Sequence, residues 1–304
     1  MKNIICIYHS IDLDGFLSAA IVKKKFPDAK LIGWNHGEAI PDVPSNHNVV
    51  ICDIAFPMEK MDEIATKSES FTWIDHHISS IKKYEEYQKT HPVKWTTNLA
   101  RNGALIGACE LTWKYFMKTA MPQAVKMLGA YDSFRHKGTK DEFDILCFEL
   151  AAQAEANSPE TALAFLTMPD RNIEDMIDEG HIIFNYEKIK AIDAYKQGFP
   201  VTFNGKKFII MNGDRMNVTN YGIDYHKDGY DGSGCFWYDG KIWHFSVYCD
   251  NDEIDCSEIA KKYGGGGHRG ASGFEPSDKL LLDIIHGKHE QRHVGFPENG
   301  FKDK

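Results

Sequence analysis

Several features that would define other protein classes are missing from this 304-residue sequence. It contains no uninterrupted apolar run near the roughly 18–20 residues that span a bilayer. Its seven cysteines are scattered, and no two have the C-x-x-C spacing of a zinc-thiolate or redox motif. Basic residues number 35 against 44 acidic ones, which gives a net charge of −9. These absences argue against a membrane-spanning protein, a disulfide-stapled mini-protein and an electrostatic binder of long duplex nucleic acid.

The remaining composition is that of an ordinary globular protein. Hydrophobic residues make up 42% of the chain and charged residues 26%, and the length allows about two domains. The apolar run at residues 4–8 is too short for the core of a signal peptide and ends at His9. We interpret it as the first strand of a cytoplasmic protein, and we expect the cysteines to be buried among apolar neighbours.

Short apolar runs alternate with amphipathic segments early in the chain. Continuous apolar runs such as 49–52 fit strands buried on both faces, and their alternation with helical segments is typical of a parallel sheet. The predicted fold class is therefore α/β, a parallel-sheet domain with helices on both faces. We predict strands at 3–8, 30–34, 48–53 and 70–74, helices that begin near Asp14, Pro57 and Ser79, and a mainly helical region from 104 to 197.

The character of the sequence changes after residue 200. Two hairpins are predicted there, one turning at Asn204-Gly205 and one at Asp239-Gly240, because both dipeptides supply the positive φ of type I′ turns. A smaller α+β domain follows from this pattern. The predicted organisation is a metal-binding domain at 1–185, a helical linker at 186–199, a C-terminal α+β domain at 200–280 and a charged tail at 281–304.

Carboxylates and imidazoles follow the predicted strands at the point where each one ends. The carboxyl ends of parallel strands meet at one edge of a sheet, where ligands collect. Each residue alone has an ordinary alternative as a helix N-cap, a turn former or a surface histidine. The candidates are His9, Asp12 and Asp14 after the first strand, Asp53 after the third, Asp75, His76 and His77 after the fourth, and Asp132 at the end of a helix.

This set has the chemistry of a centre for two divalent cations. It contains oxygen and imidazole ligands and no thiolate, which suits Mn²⁺, Mg²⁺ or Fe²⁺ better than a soft ion. Four carboxylates, at Asp12, Asp14, Asp53 and Asp132, carry more negative charge than one divalent ion needs. We therefore infer a two-metal centre.

A second candidate site is the glycine-rich run Gly264-Gly265-Gly266-Gly267-His268-Arg269. Successive glycines let backbone N–H groups approach an anion without obstruction by Cβ, so such a run can form a nest for phosphate. His268 and Arg269 would add side-chain donors, and an arginine can hold a phosphate through two parallel hydrogen bonds. The ordinary alternative is a flexible turn between a helix and a strand.

The motifs H-x-x-D-x-D-G, a strand-terminal Asp, Asp-His-His and a later Asp together resemble the DHH phosphoesterase superfamily. The glycine-rich run is similar to the signature of the C-terminal domain associated with that family. The resemblance covers about residues 1–275 and rests on the order of the motifs, since each is weak alone. It implies a metal-dependent phosphoesterase related to nano-RNases, pAp phosphatases and RecJ-like nucleases.

The resemblance also implies a role for each motif residue. His9 and Asp12 would hold one metal, Asp14, His76 and Asp132 the other, and Asp53 would bridge both. Asp75 would orient the histidines, and His77 would donate to a phosphate oxygen. The implied substrate contacts are Gly265, Gly266, Gly267, His268, Arg269 and Tyr248.

Two departures from the family pattern narrow the expected substrate. Two residues separate His9 from Asp12 where family II pyrophosphatases have three, and the basic C-terminal signature of those enzymes is not visible. Tyr248 occupies the position where many associated domains have the Arg of a Ser-x-Arg strand, which favours base stacking over a phosphate contact.

These observations predict an enzyme that uses two divalent cations, with Mn²⁺ as the expected ion and Mg²⁺ or Fe²⁺ as alternatives, to hydrolyse short oligonucleotides to mononucleotides. The substrate is expected to be held by both domains. Neither a long duplex nor a membrane is expected as a partner, and a homodimer is left open. Other enzymatic alternatives are a phosphatase on pAp-type nucleotides, a phosphodiesterase on cyclic or linear dinucleotides, and an exopolyphosphatase or pyrophosphatase-like hydrolase. A non-catalytic nucleotide sensor is the alternative from another class, and such a protein would be expected to lose metal ligands.

Overall fold

The computed structural model describes residues 3–101, 104–251 and 253–289. The chain divides into two compact units, Met1–Ile183 and Phe184–Lys304. The long helix α8, Asp170–Lys196, begins in the first unit and ends in the second. The predicted tail lies partly outside the described residues. No helix of the described part of the chain is both long and apolar enough to cross a bilayer.

The first unit is built on a sheet of five strands, β1 Ile4–His9, β2 Lys30–Trp34, β3 Asn48–Cys52, β4 Ser70–Asp75 and β5 Thr96–Leu99. Across the sheet the strands lie in the order β2-β1-β3-β4-β5, and all neighbouring pairs are parallel. The sequence predicted the first four strands to within one residue at either end.

Helices cover both faces of this sheet, as the sequence predicted. Alternate strand residues explain the two layers, because neighbouring side chains point to opposite faces. The α-helices that lie wholly in this unit are α1 Leu13–Lys25, α2 Met58–Lys67, α3 Ile78–Thr90, α4 Ala108–Phe116, α5 Gln123–Asp132, α6 Glu142–Glu155 and the short α7 Pro159–Ala162. Ile5 and Ile7 of β1 pack with α2 and α3, whereas Cys6 of the same strand packs with α1 and α4.

The second unit contains a mixed sheet in the order β10-β11-β9-β8-β7-β6. Its pairs are antiparallel except β7 with β8, which run parallel. An α+β architecture is therefore present, as predicted. The elements are β6 Phe199–Phe203, β7 Lys206–Asn212, β8 Gly232–Tyr238, β9 Trp243–Tyr248, α9 Cys256–Lys262, β10 Gly266–Gly267, β11 Ala271–Phe274 and α10 Asp278–Ile285.

Both predicted hairpins are present, but only the first has the predicted type I′ turn. Asn204 and Gly205 both have positive φ, 50° and 76°, as a type I′ turn requires. At the second hairpin Gly240 has φ 96°, but Asp239 is not among the positive-φ residues of the described chain. The Asp239 carboxylate instead accepts hydrogen bonds from the N–H groups of Lys241 and Ile242 at 2.7 and 2.8 Å, which produces a longer loop.

The seven cysteines all fall within the described ranges, and each is a buried free thiol, as expected. The sequence did not predict that two of them would meet. The sulfur atoms of Cys249 and Cys256 lie 3.0 Å apart in the second unit.

Candidate metal centre

The first two predicted ligands lie where β1 passes into α1. His9 is the last residue of β1, and Asp12 is the N-cap of α1, whose side chain accepts a hydrogen bond from the Gly15 N–H at 3.0 Å. Asp12 therefore has the ordinary capping role and still presents its other oxygen 2.9 Å from His9 Nδ1. A Cβ at Gly15 would lie 1.9 Å from the His9 carbonyl oxygen, so glycine is required for this close approach of helix and strand.

Asp14 is buried in the first turn of α1, and backbone groups of another helix hold it. The N–H groups of Ala108 and Cys109, at the start of α4, donate to its two oxygens at 2.7 and 2.8 Å. The first N–H groups of a helix have no partner within the helix and favour negative charge. The sequence reasoning missed this contact, because backbone donors carry no residue-type signal and lie more than ninety positions along the chain.

Asp53 follows β3, and the Asp75-His76-His77 group begins at the last residue of the neighbouring strand β4. Asp53 has a left-handed backbone with φ 62°, and its N–H donates to the Ile74 carbonyl at 2.9 Å, which turns the chain sharply at the strand end. One oxygen of Asp75 accepts hydrogen bonds from the N–H groups of His76 and His77 at 2.7 and 3.0 Å. The same oxygen lies 2.7 Å from His77 Nδ1, so Asp75 fixes the orientation of that ring.

The structure brings all six predicted ligands together at the carboxyl edge of the sheet. His9 Nδ1 lies 2.9 Å from Asp12 and 3.5 Å from Asp53. His76 Nε2 lies 3.4 Å from Asp53, 3.1 Å from Asp132 and 3.8 Å from Asp14. Three groups have ligand atoms that all lie within 4.8 Å of one another, and two of them consist only of predicted ligands: His9 with Asp12 and Asp53, and Asp14 with His76 and Asp132. The third joins Asp53 and His76 to His77, whose Nδ1 is engaged by Asp75.

The charges of these groups shift one another strongly. Burial alone would lower the pKa of His9, but Asp12 and Asp53 outweigh burial and raise it to about 11. Burial is likewise outweighed at His76, where Asp53, Asp132 and Asp14 raise the pKa to about 11. Burial would raise the pKa of Asp53, but the His76 and His9 imidazoles hold it far below its ordinary value.

The pKa values of the two carboxyls in the second cluster, Asp14 and Asp132, are raised, whereas that of Asp53 is lowered. Burial and the neighbouring Asp53 raise the pKa of Asp14 to about 6. Burial and the neighbouring Asp14 raise the pKa of Asp132 well above its ordinary value. Without a bound cation, these carboxyls therefore keep their protons to a higher pH, because ionising all of them would place like charges side by side.

The residues present fit divalent cations. Both oxygens of Asp53 and the inner oxygen of Asp132 are buried, and none of the three has a well-directed hydrogen bond among the described residues. Buried polar atoms normally have well-directed hydrogen bonds, so oxygens whose near neighbours are poorly directed histidine nitrogens call for an explanation such as an ion. Carboxylate and imidazole donors arranged in two clusters supply the ligand types that Mn²⁺ and Mg²⁺ accept.

The glycine-rich run lies in the second unit, and some of its backbone N–H groups are already hydrogen-bonded within the protein, unlike those of an open anion-binding nest. The N–H groups of Gly265 and His268 already donate to the carbonyls of Ala260 and Ala271 at 2.9 and 2.8 Å. Gly266 and Gly267 form strand β10, which pairs with β11. A bound phosphate would therefore use the side chains more than the nest geometry predicted from sequence.

The remaining candidate contacts of the second unit lie beside this run. Arg269 has a half-exposed side chain, and its Nη1 lies 3.7 Å from a carboxylate oxygen of Asp255. Tyr248 ends β9, is half-buried and pairs in register with Ser233 on one side and Ala271 on the other. Substrate contact by these residues stays a prediction.

Comparisons with known proteins agree with this fold. No protein-family model matches the chain. An uncharacterised protein of Acanthamoeba polyphaga mimivirus is 25% identical in an alignment 301 positions long that covers 89% of this chain and 66% of the viral protein. The chain therefore spans just under two thirds of that relative's length.

Two solved structures share the architecture. The DHH domain of a member of the s1p family of ribosomal proteins has a TM-score of 0.58 and 15% identity, covering 95% of this chain and 86% of that one. RecJ from Thermus thermophilus in complex with Mn²⁺ has a TM-score of 0.51 and 12% identity, covering 95% of this chain and 52% of that one. At these identities the likeness establishes a common fold.

Proposed function

We propose that this chain, which has the fold of the DHH domain, is a metal-dependent phosphoesterase that hydrolyses short oligonucleotides. The observation that carries the proposal is that Asp53 belongs to the cluster of His9 and Asp12 and also approaches His76 of the second cluster. Asp53 approaches a histidine of each cluster, His9 at 3.5 Å and His76 at 3.4 Å. Its position supports a bridging role between two cations.

Each residue around the centre has a task that follows from its contacts. His9 and Asp12 would hold one cation, Asp14, His76 and Asp132 the other, and Asp53 both. Two divalent cations, when bound, lower the pKa of a water and neutralise charge on the phosphorus oxygens. The α4 N-terminus keeps the Asp14 carboxylate in place through the hydrogen bonds from Ala108 and Cys109.

His77 has the position of a donor to substrate. Asp75 engages Nδ1 of the His77 ring, so a hydrogen bond to a phosphoryl oxygen would come from Nε2. The ring is partly exposed, with 31% of its side chain accessible, and its Nδ1 lies 3.8 Å from Asp53. Burial alone would lower the pKa of this ring, but Asp75 and Asp53 outweigh burial and raise it.

The charge of the chain supports a short substrate. The net charge of −9 disfavours long polyanions, whereas two cations at the acidic centre would attract a single phosphodiester. Arg269 supplies a guanidinium in the second unit, and Tyr248 supplies a ring on which a base could stack. An oligonucleotide of two to five residues offers both a phosphate and a base to such groups.

The test is hydrolysis of two-to-five-nucleotide RNAs with added Mn²⁺ by the parent and by Asp53→Asn. Removing the charge that serves both clusters should cost roughly 3 kcal/mol or more in the transition state, or at least about a hundredfold in rate. Asp28→Asn is the matched control, because Asp28 is exposed and precedes β2 at the opposite edge of the sheet.

The outcomes separate the candidate functions. Equal turnover by parent and Asp53→Asn would overturn the two-cation mechanism. Preferred hydrolysis of pAp, a cyclic dinucleotide, polyphosphate or pyrophosphate would keep the mechanism and replace the substrate. Tight nucleotide binding without metal uptake would identify a sensor.

A further inference from the structure

The guanidinium group of Arg135 forms an ion pair with Glu110, and neither residue has a role in the proposed reaction so far. Nη1 and Nη2 each donate to a different carboxylate oxygen of Glu110 at 3.0 Å, a bidentate pair. Nη1 also donates to the carbonyl of Leu105 at 2.9 Å. The Glu110 side chain is 7% exposed, so Arg135 balances a charge that is nearly removed from water.

Glu110 links this pair to the start of α4. It is the third residue of the helix, and its carboxylate accepts a hydrogen bond from the Gly107 N–H at 3.2 Å, as in a capping box. A Cβ at Gly129 of α5 would lie 2.6 Å from the Glu110 side chain, and one at Gly107 would lie 2.7 Å from Gly129 Cα. The start of α4 is therefore packed closely on α5.

Helices α4 and α5 both contact the same cluster of metal ligands. The next N–H groups of α4, those of Ala108 and Cys109, hold Asp14. Asp132 is the last residue of α5, and Arg135 follows it by three positions. Asp14 and Asp132 belong to one ligand cluster, with His76, whereas His9 and Asp12 of the other cluster come from the β1–α1 turn.

We infer that Arg135, through Glu110, is a positioning residue for the cluster of Asp14, His76 and Asp132 and leaves the cluster of His9 and Asp12 unaffected. The inference rests on the proposed function, since it requires that the clusters hold cations. Groups that orient metal ligands from behind typically change metal affinity by roughly tenfold to a hundredfold when they are removed. The loss of Arg135 should therefore weaken one of two sites and make them unequal.

The experiment titrates Mn²⁺ alone into parent and Arg135→Ala, with calorimetry for affinity and electron paramagnetic resonance for free ion. The parent should bind two ions, and in Arg135→Ala one of the two sites should weaken by about tenfold to a hundredfold while the other stays within about twofold. Combining Arg135→Ala with Asp12→Asn identifies the sites, because the two changes should weaken different ones. Lys67→Ala is the matched control, since Lys67 pairs with the exposed Glu63 at the far end of α2.

Two further measurements distinguish positioning from general destabilisation. Guanidinium chloride at tens of millimolar should restore the weakened site of Arg135→Ala, whereas urea at the same concentration should not. Glu110→Gln removes the charge that Arg135 balances and should weaken the same site, with the far-ultraviolet circular dichroism unchanged.

The outcomes are distinguishable. A parent that binds fewer than two ions overturns the proposed centre and the inference with it. A parent that binds two, beside an Arg135→Ala variant that is unchanged at both sites, overturns the inference alone. Equal weakening of both sites, without rescue by guanidinium, also overturns it.

Discussion

Metal binding at this centre should displace protons, and the number of protons follows from the structure. His9 and His76 each lie within 3.5 Å of carboxylates that raise their pKa to about 11. A histidine must be neutral to bind a metal ion. Adding Mn²⁺ to the metal-free protein should therefore release the proton that each imidazolium carries.

The expected number of protons released at pH 7.5 differs about tenfold between histidines with the raised pKa and histidines with the ordinary pKa. An imidazole with a pKa of about 11 is almost fully protonated at pH 7.5, so two of them release about two protons. With the ordinary value of about 6.5, each would be protonated to roughly one tenth, and the total release would be about 0.2. Asp132, whose pKa is also raised, can only add to the release.

Isothermal calorimetry in buffers of different ionisation enthalpy measures this number directly, because the observed heat varies with the buffer in proportion to the protons released. Asp12→Asn removes the carboxylate nearest to His9 and should lower the release, while Asp28→Asn should not. A parent value near 0.2 at pH 7.5 would refute the electrostatic reasoning.

The same shifts fix the sign of the pH dependence of stability. The folded-state pKa of His9 and His76 lies above the unfolded value of about 6.5. Their attraction to the carboxylates therefore stabilises the metal-free fold fully below about pH 6.5 and is lost as the pH rises through about 11. Metal affinity should change in the opposite direction, rising with pH over this window.

Two further predictions concern the second unit. Arg269→Ala should weaken binding of a dinucleotide by roughly tenfold, about 1.5 kcal/mol for one charge-assisted contact, while Mn²⁺ stoichiometry stays unchanged; joint loss of both would place the loop elsewhere. Gly265→Ala should lower the free energy of unfolding by about 1–3 kcal/mol in urea melts, because its Cβ would lie 2.0 Å from the Gly273 carbonyl oxygen. Gly266→Ala is its matched control, since nothing lies within 4 Å of a Cβ there, and equal stability of the two variants would contradict the packing argument.

The parallel sheet could be predicted because its central strands are uninterrupted apolar runs. Val49 to Cys52 are buried on both faces of the sheet, and a buried strand needs no alternating pattern. The edge strand β5, Thr96–Leu99, was missed for the opposite reason. It is polar and half-exposed, and it pairs on one side with β4, so its sequence resembles a loop.

The site residues could be predicted from a rule of topology, but their supports could not. Strand order alone brings His9, Asp53 and Asp75 to one edge, because all three lie at or directly after the carboxyl ends of parallel strands. The contact between Asp14 and the start of α4 depends on backbone donors, and the pairing of Arg135 with Glu110 joins residues 25 positions apart. Neither has a periodicity or a spacing that a sequence could reveal.

The acidic balance of the chain gains a specific meaning from the buried members of the centre. Asp14 and Asp53 are 2% and 1% exposed, and placing such carboxylates side by side opposes folding unless other charges compensate. In the metal-free fold the imidazolium groups and the α4 N-terminus compensate, and the cluster retains protons that a cation would displace. A protein selected for stability alone would replace this cluster with apolar side chains of similar volume. Its presence therefore argues for a functional requirement, and divalent cations would satisfy that requirement with the residues present.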